Sequence, residues 1–314
     1  MPKIKIALLG TGNHSHKNHL PSLARYAAEH PDTIELAAVC DLRQEEAQAA
    51  AATYGFGRAY TDLDEMLARE NPDGLIAVTP IQATLPVASQ IIRAGIPLLM
   101  EKPPGANLDE TRQIVDLVEK TGARVMVSVN RRFDLALQRA LSFKGERPLE
   151  YLRATMIRHR RTELDFMQCT AIHVVDAMRH IAGDVRHHSV DTRYVSGAHW
   201  YLVRFKFECG ADGSLEVLTT SGKRSEEYGL FGPDYAICAR VAEFDIGTTK
   251  AWDNGELVVD EQSAPQQPEF VRNGAYNETV EFIAALKEDR APRPAPADIL
   301  QSVEICDALA SAVK

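Results

Sequence analysis

The feature that most limits what this chain can fold into is an alternation, between Lys3 and Val129, of short apolar runs with longer helical patterns. Lys3–Leu9, Ile34–Cys40, Gly74–Val78, Pro97–Met100 and Arg124–Val129 read as buried strands. Between them, helical patterns cover Lys17–Ala28, Gln44–Tyr54, Asp62–Arg69, Leu85–Ala94 and Asp109–Thr121. Thr61 or Asp62 supplies an N-cap, and Gly95 and Gly122 stand where helices stop. Strand and helix alternating at this spacing predict a doubly wound α/β unit, a parallel sheet with helices on both faces.

Such sheets bind ligands beyond the carboxyl ends of their strands, so the residues there carry the chemistry. The first strand runs into Gly10-Thr11-Gly12-Asn13-His14-Ser15 and then a helix. In that context a GxG turn admits a pyrophosphate to the backbone, with the helix N-terminus facing the anion. Ser15 takes the place of the third glycine of the fingerprint. The second strand ends at Asp41, whose carboxylate suits both ribose hydroxyls of NAD and repels the 2′-phosphate of NADP; it can also cap the next helix. The strand Pro97–Met100 runs into Glu101-Lys102-Pro103-Pro104. Neither proline can donate a ladder hydrogen bond, so the strand stops and sets both charges on stiff backbone. A lysine brought out of the core there is a candidate for desolvation and a lowered pKa. His14, His16 and His19 invite a metal reading. The expectation is that no metal binds: they fall in the phosphate turn, and no carboxylate or cysteine stands beside them in sequence.

In this order of motifs, with Thr79-Pro80 and with Ala94-Gly95 ahead of Glu101-Lys102-Pro103, the chain resembles the Gfo/Idh/MocA oxidoreductases, the group of glucose-fructose oxidoreductase and inositol dehydrogenase. The resemblance implies a Rossmann domain over residues 1–130, and a substrate-binding and oligomerisation domain over 131–314. It implies cofactor contacts from Gly10, Gly12, Asn13, His14, Asp41, Thr79, Pro80, Glu101 and Lys102. It places Lys102 against the reacting substrate oxygen, with a cis peptide before Pro103. Where the family often has an asparagine and a nearby histidine after Thr-Pro, this chain has Ile81 and Thr84.

The second half opens on Asn130-Arg131-Arg132-Phe133-Asp134, which resembles the family's crossover; Arg131 is a candidate for the substrate or for an ion pair between domains. Arg153, Arg158, Arg160 and Arg161 gather around the end of a strand, Tyr151–His159, where solvated charges are the expected reading. Cys169, His173, Asp176 and His180 repeat at three- and four-residue steps on one helix face. Thr170-Ala171-Ile172-His173 and Asp176 match an Asp-Thr-Ala-Ile-His-x-x-Asp pattern of inositol-dehydrogenase-like members. That match implies His173 as acid/base, Asp176 as its aid, and Cys169 at the substrate in place of an aspartate. A thiol is no substitute for a carboxylate that fixes an imidazole.

From Arg186 to Asp260 short strands with glycine turns predict a mostly antiparallel sheet: Tyr201–Glu208, Ser214–Thr220, Tyr228–Gly232, Ile237–Phe244 and Leu257–Val259. An apolar open face there predicts a homodimer or homotetramer through that sheet. Helices are expected at Asn277–Lys287 and Pro296–Val313. The net charge of −9 argues against nucleic acid and anionic membranes as partners. Five scattered cysteines without a CxxC pair point to reduced thiols in a cytoplasmic protein.

The function expected is hydride transfer between a secondary alcohol of a sugar, sugar acid or cyclitol and NAD, with NADP the less favoured cofactor. Two alternatives share the fold: an NAD-dependent redox glycosidase, and a cofactor-binding regulator that the missing acid at Cys169 would suit.

Overall fold

The computed structural model describes residues 2–313, which group into two compact units. One comprises the chain up to Ser128 together with Ala275–Leu300; the other comprises Val129–Gly274 and the chain from Gln301 on.

The first unit is built on six parallel strands: β1 (Ile4–Leu9), β2 (Ile34–Cys40), β3 (Arg58–Tyr60), β4 (Gly74–Ala77), β5 (Leu98–Glu101) and β6 (Val125–Ser128). Their order is β3-β2-β1-β4-β5-β6. The chain therefore reverses direction across the sheet between β1 and β4, the point where doubly wound sheets open a crevice. Ile6, Leu8, Leu75, Ile76, Leu98 and Leu99 are fully buried, as strands covered on both faces require. The short edge strand Arg58–Tyr60 was not expected; three residues give no readable period. The helix expected from Leu85 begins at Ile81 and carries Pro86 within it, which forgoes only one hydrogen bond, to the Gln82 carbonyl.

Ala275–Leu300 lies on the far side of a chain boundary at residue 130, yet packs in this unit. Gly74 makes room for it: a Cβ there would stand 2.6 Å from Leu286 and 3.3 Å from Phe282 of the helix Ala275–Lys287. Ser128 Oγ donates to Glu278 Oε2 at 2.8 Å, and Val127 N–H to the Pro294 carbonyl at 2.9 Å.

The second unit holds eight strands: β7 (Tyr151–Ile157), β8 (Val185–Val195), β9 (Ala198–Phe207), β10 (Asp212–Leu218), β11 (Ser225–Gly232), β12 (Tyr235–Arg240), β13 (Thr248–Asp253) and β14 (Glu256–Gln262). Their order is β14-β13-β12-β11-β7-β10-β9-β8, antiparallel except where β7 runs parallel to β10. β8 and β13 escaped the sequence reading because both are mostly polar, β8 lying exposed along the sheet edge. One face is apolar and buried, with Leu152, Ala154, Leu215, Val217, Leu230 and Ile237. The helix Ile172–Ala182 lies on it, with Met178 close over Gly213.

The other face carries Arg153, Glu216, Glu227, Arg240 and Lys250. It is charged, so the premise that an exposed apolar face demands a partner copy does not hold. The arginine group is dispersed too: Arg158 is buried against Glu226 at 2.7 Å, while Arg161 pairs with Glu163. Among the described residues no helix is long and apolar enough to cross a membrane, and the five cysteines form no disulfide with one another.

Candidate active site

Every expected cofactor residue of the first unit stands at the carboxyl edge of its sheet. Gly10 follows β1, Asp41 follows β2, Thr79 and Pro80 follow β4, and Glu101 and Lys102 close β5. The turn after β1 depends on glycine. Gly10 has φ +88°, and a Cβ on it would lie 2.0 Å from the Val78 carbonyl oxygen at the end of β4. Gly12 faces open space, with no atom within 4 Å of where its Cβ would be, and helix begins at Asn13. A pyrophosphate needs such bare backbone at a helix start.

Asp41 is held in place from both sides. Its Oδ2 accepts the Thr11 N–H and hydroxyl, each at 2.9 Å, and its Oδ1 accepts the Arg43 N–H at 3.0 Å and side chain at 3.2 Å. Burial pushes the carboxyl up; the donors from Arg43 and Thr11 outweigh it and leave the pKa lowered. Arg43 is thus drawn onto the acid, and the end of β2 presents an ionised carboxylate. These features fit NAD: a bare turn for the pyrophosphate, and an anchored acid for the ribose.

Lys102 is half-buried, and the Lys102–Pro103 peptide is cis, as the resemblance implies. Its neighbour Glu101 is held by two histidines. His14 Nε2 lies 2.9 Å and His19 Nε2 2.7 Å from the same oxygen, Glu101 Oε1. Burial raises the Glu101 carboxyl, but His14 and His19 overcome it and hold it well below the ordinary carboxylate range. So a carboxylate distant in sequence does stand beside two of these histidines in the fold. His16 turns elsewhere, to the Tyr54 hydroxyl at 3.1 Å.

The sequence concealed this cluster because Ser15–His19 is a π-helical turn. On an α-helix residues five apart point about 140° away from each other. A π-turn closes its hydrogen bonds over five residues and brings them into line.

In the second unit two of the expected substrate and proton-handling residues, Arg131 and Asp176, are engaged in buried ion pairs. Arg131 is buried, with Nε 3.0 Å from Glu226 Oε1 and Nη1 2.9 Å from Glu243 Oε2. Its guanidinium is committed to a network that also takes in Arg158 and the Tyr228 hydroxyl. Asp176 is fully buried; Arg132 grips both its oxygens at 2.8 Å, and the Ser302 hydroxyl adds a third donor. His173 is half-buried in the first turn of Ile172–Ala182. Cys169 lies in a second π-turn, Met167–Ala171, with its thiol 3.4 Å from the Asp165 carboxylate. Sequence reasoning missed Asp165; its spacing of four before Cys169 was the available signal.

Comparison with known proteins agrees with this geometry. Residues 4–129 match the family described as "Oxidoreductase family, NAD-binding Rossmann fold". The 4-carboxy-2-hydroxymuconate-6-semialdehyde dehydrogenase of a Sphingobium species is 25% identical, over 96% of this chain and 96% of its own length. The D-glucoside 3-dehydrogenase of Escherichia coli is 30% identical over 43% of this chain, and the chain spans 37% of that protein's length. A Saccharomyces cerevisiae protein 31% identical to the chain is likewise covered over only 37% of its length. A solved dehydrogenase of Chromobacterium violaceum superposes with a TM-score of 0.88 at 19% identity, over 99% of this chain and 95% of that one. Residues 4–129, which carry the site just described at the edge of their sheet, match the NAD-binding Rossmann domain of the Gfo/Idh/MocA oxidoreductases.

Proposed function

We propose that the chain is an NAD-dependent dehydrogenase acting on a secondary alcohol of a sugar, sugar acid or cyclitol. The observation that carries this reading is the placement of Lys102 at the end of β5, on the same sheet edge as the Gly10–Gly12 turn and Asp41. In this reading Gly10, Gly12, Asn13 and His14 hold the pyrophosphate and Asp41 the ribose, while Thr79, Pro80 and Glu101 complete the cofactor contacts. When bound, the nicotinamide supplies the hydride acceptor. Lys102 polarises the substrate oxygen and takes its proton, and His173 passes that proton on. Asp176, with both oxygens on Arg132, is assigned a positioning role rather than proton transfer. The ionised Asp41 supports NAD over NADP.

Carbohydrate as substrate class is supported by the name of the Escherichia coli relative, matched over part of the chain. The full-length relative is named for a carboxylated semialdehyde, so the test must include both. Purified protein is incubated with NAD and a panel of aldoses, aldonates, cyclitols, glycosides and semialdehydes, following NADH absorbance and glycoside cleavage separately. NADH formation with a sugar or cyclitol is the expected result. NADH formation with semialdehydes alone, glycoside cleavage without NADH, or tight NAD binding with no turnover each overturns the proposal.

A further inference from the structure

We infer that His14, His19 and Glu101 form a binding site for a divalent first-row transition ion, Zn²⁺, Co²⁺ or Ni²⁺. The three donor atoms, His14 Nε2, His19 Nε2 and a Glu101 carboxylate oxygen, lie within 4.8 Å of one another. They come from two rigid elements, a π-turn and a strand end fixed by prolines. Side-chain burial differs usefully among them: His19 is 1% exposed and Glu101 11%, whereas His14 is 49% exposed. An ion can therefore arrive from solvent past His14 and meet two preorganised ligands.

The π-turn is what builds the cluster. Such turns are rare, appear mostly as single turns inside α-helices, and are frequent at functional sites. Here its effect is to bring two imidazoles five residues apart onto one oxygen.

The donor set selects the ion. Two imidazole nitrogens with one carboxylate suit zinc and its neighbours; magnesium and calcium prefer all-oxygen shells. Without an ion, the two Nε2–H groups donate to Glu101 Oε1. Binding puts the metal on each Nε2 and leaves each imidazole its one ring proton on Nδ1. The structure also sets a ceiling on affinity. That Nδ1 of His19 is buried with no hydrogen-bond partner. A partner at that position typically contributes 10- to 100-fold in metal affinity. A site lacking it binds reversibly, taking its remaining ligands from water.

His14 and Glu101 also stand among the proposed cofactor contacts, so ion and dinucleotide would compete for them; the experiment separates the two readings because it uses cofactor-free protein and no substrate. The full-length chain is titrated with Co²⁺, following its visible absorption, and then with Zn²⁺ or Mg²⁺ as competitor. The expected result is one Co²⁺ per chain, displaced by Zn²⁺ and not by an equal concentration of Mg²⁺, with binding weakened at least tenfold in His14→Ala. His14 is half-exposed, so that variant retains the fold, which thermal melting verifies. His16→Ala, which alters a histidine facing Tyr54, is expected to bind like the parent. No stoichiometric uptake, His14→Ala binding within twofold of the parent, equal competition by Mg²⁺, or an equal loss in His16→Ala would each overturn it.

Discussion

Lys102 is the residue on which the proposed chemistry turns. Loss of one acid/base group typically costs on the order of 10²- to 10⁴-fold in rate. Lys102→Ala is therefore expected to lower kcat by that factor while NADH binding stays within a few-fold, checked by steady-state kinetics beside a fluorescence titration. Near-normal turnover would reject the role. Gly10 makes a stability prediction. At φ +88°, with the Val78 carbonyl 2.0 Å from its Cβ position, Gly10→Ala cannot be accommodated without moving β4. A cost of at least about 1–3 kcal/mol is expected from the backbone conformation alone, measured by urea unfolding. At this scale the sequence was most legible where a residue type has a single use. A glycine at a strand-to-helix turn, an acid at the next strand end, and a lysine before two prolines were all found. Arg131, Arg132 and Asp176 were found as residues but not as partners, because pairs such as Asp176–Ser302 close over long stretches of chain that no local pattern links.

Among elements, those that escaped the sequence reading are the ones without periodicity. The three-residue β3, the polar β13 and the exposed edge strand β8 bury too little apolar surface to leave a pattern. The two π-turns are illegible for a different reason: each inserts one residue into a helix whose composition still reads as α. At Ser15–His19 that insertion converts three scattered histidines into a two-histidine cluster on Glu101. The helix Ile172–Ala182 carries the prediction at this scale. Its buried Asp176 is held by Arg132 through two hydrogen bonds of 2.8 Å. Removing one member of a buried pair costs about 3–5 kcal/mol, because the other charge is left unpaired. Arg132→Ala and Asp176→Asn are both expected to lower unfolding free energy by that order. Lost turnover in Asp176→Asn at unchanged stability would instead give Asp176 a direct part in the chemistry.

For the whole molecule, the strand-helix alternation revealed the first unit's parallel sheet, while the return of Ala275–Leu300 to that unit was hidden. Nothing local in Asn277–Lys287 says which sheet it covers; the notch at Gly74, two hundred residues earlier, decides it. Global stability should also depend on pH through the second unit's buried network. Burial raises the Glu226 carboxyl, but Arg131 and Arg158 outweigh it and bring the pKa from 4.5 to about 2. A carboxylate lowered in the folded state binds fewer protons there than in the unfolded chain. Its stabilisation is thus complete above about pH 4.5 and lost as pH falls toward 2, a change worth about 3 kcal/mol. Urea unfolding of the parent at several pH values should show that loss, and Glu226→Gln, already destabilised at neutral pH, should show a shallower acid limb. Parallel acid limbs would place the dependence on other carboxylates.

In the proposed reading the carboxyl edge of the six-stranded sheet binds a pyridine dinucleotide through the Gly10–Gly12 turn and Asp41. Fluorescence titration of the parent and of Asp41→Ala with NADH and NADPH checks this. One NADH per chain is expected, bound more tightly than NADPH by the parent, with that preference lost in Asp41→Ala. Failure of the folded parent to bind either dinucleotide, or identical affinities in the Asp41 variant, would contradict it.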